Sequence, residues 1–157
     1  MAFDFSQSIN DGLAYGAEKL KIKDEINSIL NDFCSSLQEI LKKETGRPIT
    51  VYKRYKEIKE KQSMMAALHF AEPQIVDRYY GVFISANNYN HEHLIFKYEI
   101  NEASGYPCSI KYSGKDIMCN SDADLTGSLE KMVKYQGLMI REKVREIESF
   151  FSKQDTE

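Results

Sequence analysis

Three consecutive runs of alternating residues between Asp77 and Tyr112 constrain the fold of this chain more than any other feature. In the first, Tyr80, Val82, Ile84 and Ala86 share one face, with Tyr79, Gly81, Phe83 and Ser85 on the other. The second sets Leu94, Phe96, Tyr98 and Ile100 against His93, Ile95, Lys97 and Glu99. The third alternates Tyr106, Cys108, Ile110 and Tyr112 with Pro107, Ser109 and Lys111. A period of two in β-branched and aromatic residues marks strands with one covered face. Asn87-Asn88 and the run from Asn101 to Gly105 supply residues that tolerate turn backbones. The stretch therefore reads as three antiparallel strands joined by turns.

Helical patterns flank it. Residues 3–20 are weakly helical, with Ile9, Leu13, Ala17 and Leu20 three or four apart. Gly12 and Gly16 lower the propensity there by about 1 kcal/mol each relative to alanine, so this is either a short helix or the frayed start of the next. From Ile22 to Lys43 the signal strengthens, Ile22, Ile26, Ile29, Leu30, Phe33, Leu37, Ile40 and Leu41 forming one apolar stripe. Gly46 and Pro48 then end the helix, the first by taking a left-handed cap and the second by being unable to continue. Ile49 to Tyr55 alternates as a strand. Met64 to Phe70 reads as a further strand, although alanine and methionine suit a short helix nearly as well. Ser113-Gly114-Lys115-Asp116 is a turn leading to a short strand over 117–119. Ser121 and Asp124 have the spacing of a capping box, and a helix from Asp122 to Phe151 follows, with a frayed polar tail over 152–157.

These elements predict one α+β domain over 1–157, an antiparallel sheet of four to six strands with the long N- and C-terminal helices packed on one face. Phe33, Leu37, Ile84, Phe96, Ile110, Met132 and Ile140 are the expected core. At 157 residues such a domain buries roughly two thirds of its unfolded surface. No apolar run approaches the ~20 residues that span a bilayer, and residues 1–10 carry no basic n-region of a signal peptide. Cys34, Cys108 and Cys119 make neither a Cys-x-x-Cys pair nor an even framework, which suits reduced thiols in the cytoplasm.

Chemistry-bearing groupings are sparse. His91 and His93, two apart on a strand, point the same way and offer two metal ligands, which would make a metal-dependent enzyme if Cys108, Cys119 or Asp116 joined them. A cysteine nucleophile would need Cys108 or Cys119 within reach of His69, His91 or His93. The pairs Asp122 with Asp124 and Glu99 with Glu102 are explained as a helix cap and a strand end. No phosphate-cradling glycine loop, nucleophile elbow or His-Glu-x-x-His helix occurs. The expectation is a chain that is not an enzyme and holds no cofactor.

Charge and tyrosine content point elsewhere. The net charge is -3, yet the segment Lys42 to Lys61 carries eight basic and three acidic residues. Within it Tyr52, Lys53, Arg54, Tyr55 and Lys56 interleave cations with rings, a mix that can hold phosphates and stack bases. An acidic sequence pI of 5.7 weighs against a dedicated nucleic-acid binder. Ten tyrosines and no tryptophan are present, many in or beside the central strands. Tyrosine presents amphipathic surface at low entropic cost and is enriched at protein interfaces. Tyr79, Tyr89, Lys97 and Glu99 are accordingly the candidate partner-binding residues.

The run Gly105-Tyr106-Pro107-Cys108-Ser109-Ile110, followed by Cys119-Asn120 and a capped helix, resembles small bacterial proteins that include immunity and phage-defence accessory proteins. The resemblance covers about fifty residues and brings no catalytic residue with it. It implies a cytoplasmic bacterial protein-binding module of the immunity, antitoxin or phage-defence accessory kind. Nucleic-acid binding through Lys42 to Lys61 is the alternative, a homodimer is compatible with either, and no membrane association is expected.

Overall fold

The computed structural model describes residues 2–156. Helix α1 (Ser6–Thr45) is followed by strand β1 (Ile49–Lys59), the short helix α2 (Met64–Leu68), strands β2 (Ile75–Ala86), β3 (His93–Asn101), β4 (Gly105–Tyr112) and β5 (Lys115–Cys119), and helix α3 (Asp122–Asp155). The five strands form one antiparallel sheet in sequence order. Each strand pairs with its neighbour through a short connection, except that α2 lies between β1 and β2.

Both long helices bury the same face. Ile49 and Val51 of β1, Val82 and Ile84 of β2, Phe96 of β3 and Ile110 of β4 meet Ile26 and Leu30 of α1 and Met132, Ile140 and Ile147 of α3 in one core. Ile84, Phe96, Ile110, Met132 and Ile140 are buried as expected, whereas Phe33 and Leu37 are only half-buried at its margin. Phe33 sets its ring edge-on to Phe96, with centroids 5.7 Å apart.

Several boundaries differ from the sequence reading. The weakly helical segment 3–20 and the strong helix from Ile22 are one continuous helix that starts at Ser6. The C-terminal helix runs on to Asp155, so most of the expected frayed tail is helical. Met64 to Leu68 is a helix, not a strand, because Ser63 accepts a hydrogen bond from the Ala66 amide and caps it. The expected turn at Ser113-Gly114 forms with both residues at positive φ, 47° and 74°, as a two-residue hairpin requires. The C-cap at Gly46 (φ 65°) also forms, its amide donating to the Lys42 carbonyl at 2.9 Å.

The largest departure is a β-bulge. Val82 pairs with Phe96 but Phe83 pairs with Leu94, which leaves Ile95 without a partner on β2. The extra residue reverses the alternation, so Leu94 falls on the far face while His93, opposite Ile84, falls on the helix face. Two residues support the bulge. Gly81 lets Leu94 lie across the strand, since a Cβ there would sit 2.7 Å from the Leu94 Cδ1. Gln136, in the buried stripe of α3, donates from Nε2 to the Ile95 carbonyl at 3.2 Å and accepts from the Ser113 hydroxyl at 3.0 Å. A buried carbonyl outside the ladder needs such a donor.

Candidate functional site

Neither long helix covers the opposite face of the sheet. Its side chains fall in rows set by the register. Tyr52, Phe83 and Leu94 form one row, and Arg54, Gly81, Lys97, Lys111 and Asp116 the next. Lys56 lies opposite Tyr79, and Glu99 is opposite Ser109, which in turn faces Met118.

A small aromatic cluster sits at its centre. Phe83 is 1% exposed although it lies outside the main core. Tyr52 and Tyr79 flank it, nearly parallel to its ring, at 6.1 and 6.4 Å. Lys56 Nζ lies 5.5 Å from the Phe83 centroid, and Lys97 Nζ lies 4.1 Å from that of Tyr79. Cations over ring faces gain electrostatic attraction from the ring quadrupole.

Glu92 ties this cluster together. Its carboxylate, with a side chain 14% exposed, accepts from the Tyr52 hydroxyl at 2.6 Å, from Arg54 Nη1 at 2.7 Å and from Lys56 Nζ at 3.1 Å. Burial pushes its pKa up, but the three hydrogen bonds outweigh that and hold it below the ordinary carboxylate value. Burial, with Glu92 as hydrogen-bond acceptor, pushes the Tyr52 hydroxyl up to about 12. In the sequence Glu92 reads only as the spacer between two histidines. No local pattern reports that it reaches over β2 to β1.

The other cations on this face are paired as well. Lys97 meets Asp77 at 3.4 Å, and Lys111 meets Glu99 at 3.4 Å and Asp116 at 3.8 Å. Arg54, Lys56, Lys97 and Lys111 are thus matched by Glu92, Asp77, Glu99 and Asp116. The face is a neutral mosaic of charges set around aromatic rings.

The sequence-derived candidates distribute over two faces. Tyr79, Lys97 and Glu99 come together on the uncovered face, but Tyr89 does not join them. It sits in the turn after β2, its hydroxyl 2.9 Å from His93 Nε2 and its ring 5.2 Å from that of Phe150 on α3. The basic quintet is likewise divided. Tyr52, Arg54 and Lys56 point to the uncovered face, while Lys53 and Tyr55 alternate to the other side. There Lys53 Nζ donates to Asn27 Oδ1 of α1 at 3.0 Å, and the Tyr55 ring lies tilted against Tyr80, with centroids 5.0 Å apart.

The metal and thiol candidates are placed differently again. His91 precedes β3 and is exposed, whereas His93 opens it, beside Tyr89 and 3.5 Å from a Glu146 carboxylate oxygen. Burial, only partly offset by Glu146, holds the His93 pKa below its ordinary value. Among the described residues no three His, Cys, Asp or Glu side chains gather as a metal would need. Cys108 and Cys119 are cross-strand partners, and both are buried. Burial pushes the Cys108 thiol up to about 12 and Cys34 up to about 11, the reverse of what a thiolate nucleophile requires. Among the described residues no helix is long and apolar enough to cross a membrane. No protein-family model, curated protein or solved structure matches this chain.

Proposed function

We propose that this chain is a non-catalytic protein-binding module that docks a protein partner on the uncovered face of its sheet. The observation that carries the reading is the charge-matched mosaic around Tyr52, Phe83 and Tyr79. Rings offer contact area at little entropic cost, and a polar surround of paired charges excludes mismatched partners. Tyr79, Lys97 and Glu99 carry the contact, and Tyr89 is removed from it. The immunity, antitoxin or phage-defence accessory kind, in a bacterial cytoplasm, is the setting suggested by the stretch from Gly105 to Ile110. Its action there is to mask or position the bound protein.

The test is photo-crosslinking. A crosslinking amino acid at Lys97, on this face, is compared with one at Glu130, exposed on α3. The expected result is one partner captured from Lys97 alone. Equal capture from both positions, or capture from Glu130 only, overturns the reading.

Nucleic-acid binding is the second reading. What favours it is that Tyr52, Arg54 and Lys56 share one face with Lys97 and Lys111. The pairing of these cations with carboxylates weighs against it. Binding to phosphates would weaken with salt at a log–log slope of about -0.7 to -0.9 per neutralised phosphate. Anisotropy of labelled single- and double-stranded oligonucleotides at low salt decides. Micromolar binding abolished by Arg54→Glu with Lys56→Glu would replace the first reading by the second.

A further inference from the structure

The first turns of α1 project from the body with no buried residue among them. The helix last meets the sheet at Gly105, where a Cβ would lie 2.8 Å from Ile22 Cγ2, and every residue from 6 to 18 is exposed. This projecting arm is not polar. Phe5, Ile9, Leu13 and Leu20 are each more than half exposed, at 62, 57, 69 and 61%. With Gly12 and Gly16 they form a stripe at three- and four-residue spacing. That stripe lies about a quarter turn from the one that enters the core. It is on the side of α1 that carries Asn27 and Gln38, and both of these touch β1. Lys53 Nζ donates to Asn27 Oδ1 at 3.0 Å, and the Val51 amide donates to Gln38 Oε1 at 2.9 Å. The arm therefore turns its apolar side toward a notch floored by Tyr55 and Tyr80, which α1 leaves 42 and 51% exposed.

Among the described residues none buries this stripe. A solvated helix of this length is marginal by itself, and two glycines weaken it further. Among the described residues, nothing outside the helix's own backbone lies within 4 Å of a Cβ built at either glycine, so neither serves a close approach there. Glycines in the middle of an apolar stripe do allow a second helix to approach.

We propose that the arm pairs antiparallel with the same arm of a second copy, crossing at Gly12 and Gly16, to make a two-fold dimer. Two features fit a second copy. A two-fold axis beside residue 14 places Gly12 of one arm opposite Gly16 of the other, so both thin points coincide. The same axis brings Phe5 beside residue 23 of the partner, where the arm meets its body and the tyrosine-floored notch begins. The exposed side chains of stripe and notch offer on the order of 800 Å² per copy, the size of a standard interface.

Sedimentation velocity from about 1 to 100 µM tests this on the full chain, with circular dichroism as the check on folding. The expected result is a dimer for the wild type and a folded monomer for Ile9→Asp with Leu13→Asp. A wild type that stays monomeric throughout, or a dimer that survives both substitutions, overturns the proposal. One cysteine added to the arm, the three native thiols being buried, reads the direction of pairing. An antiparallel crossing joins Gly12→Cys to Gly16→Cys in a mixture of the two proteins. A parallel one joins Gly12→Cys to itself and overturns the arrangement.

Discussion

Replacing Glu92 by glutamine should lower stability by about 2 kcal/mol at neutral pH and by progressively less as the pH falls. The side chain keeps its shape and an acceptor oxygen, so what is removed is the charge that Tyr52, Arg54 and Lys56 share. A hydrogen bond to a charged group contributes about 1.5–3 kcal/mol. Arg54 and Lys56 have side chains 53 and 35% exposed, however, and exposed ion pairs contribute only about 0.2–1 kcal/mol each. The half-buried Tyr52 bond thus dominates, which sets the estimate. The folded pKa of Glu92 is depressed, so the stabilisation is fully present above its unfolded value of about 4.3. It disappears as the pH falls through the folded value. Urea denaturation of both proteins at pH 7 and pH 3 measures it, and thermal midpoints should differ by roughly 4–8 °C at pH 7. A difference below about 0.5 kcal/mol at pH 7, or one that does not shrink as the pH is lowered, would refute the assignment of Glu92 as the charged hub of this face.

Other outcomes follow from the core and the thiols. Phe96→Ala should cost about 3–5 kcal/mol, and Phe33→Ala clearly less because Phe33 is only half-buried, as paired denaturation curves would show. Gln136→Leu strands the Ile95 carbonyl and should cost about 1–3 kcal/mol, with hydrogen-exchange protection lost first around the bulge. The three buried cysteines should react with an aromatic disulfide reagent only after denaturant is added, and fast labelling of Cys108 in the native protein would contradict its raised pKa. Zinc and iron in the purified protein should fall far below one equivalent by elemental analysis, since His91 and His93 gather no third ligand among the described residues.

How far the sequence revealed this molecule depended on the range of each interaction. The α+β architecture, five strands within the expected four to six, and the caps at Gly46 and Ser121 all rest on contacts a few residues apart. Periodicity reports those directly. The bulge at Ile95 is invisible to a strict period of two, because it depends on Gln136, 41 residues away. Its consequence is that Leu94 and His93 exchange faces. The division of Lys53 and Tyr55 from Tyr52, Arg54 and Lys56 is strand alternation, and it was legible in principle once β1 extended beyond Tyr55. Glu92 was not, because its three donors lie 36 to 40 residues upstream. The helix at Met64–Leu68 was decided by the cap at Ser63, a single local hydrogen bond that outweighs a weak alternation.

Docking on the uncovered sheet face is most directly tested by calorimetric titration of the crosslinked partner, once it is isolated, against the wild type and Tyr79→Ala. Tyr79 flanks Phe83 on this face, with Lys97 Nζ 4.1 Å from its ring centroid. Truncating a central interface tyrosine costs about 2 kcal/mol, which is roughly a 30-fold weaker Kd. The account predicts that loss for Tyr79→Ala, with little change for Tyr89→Ala. Equal affinity for wild type and Tyr79→Ala, or a larger loss at Tyr89, would contradict it.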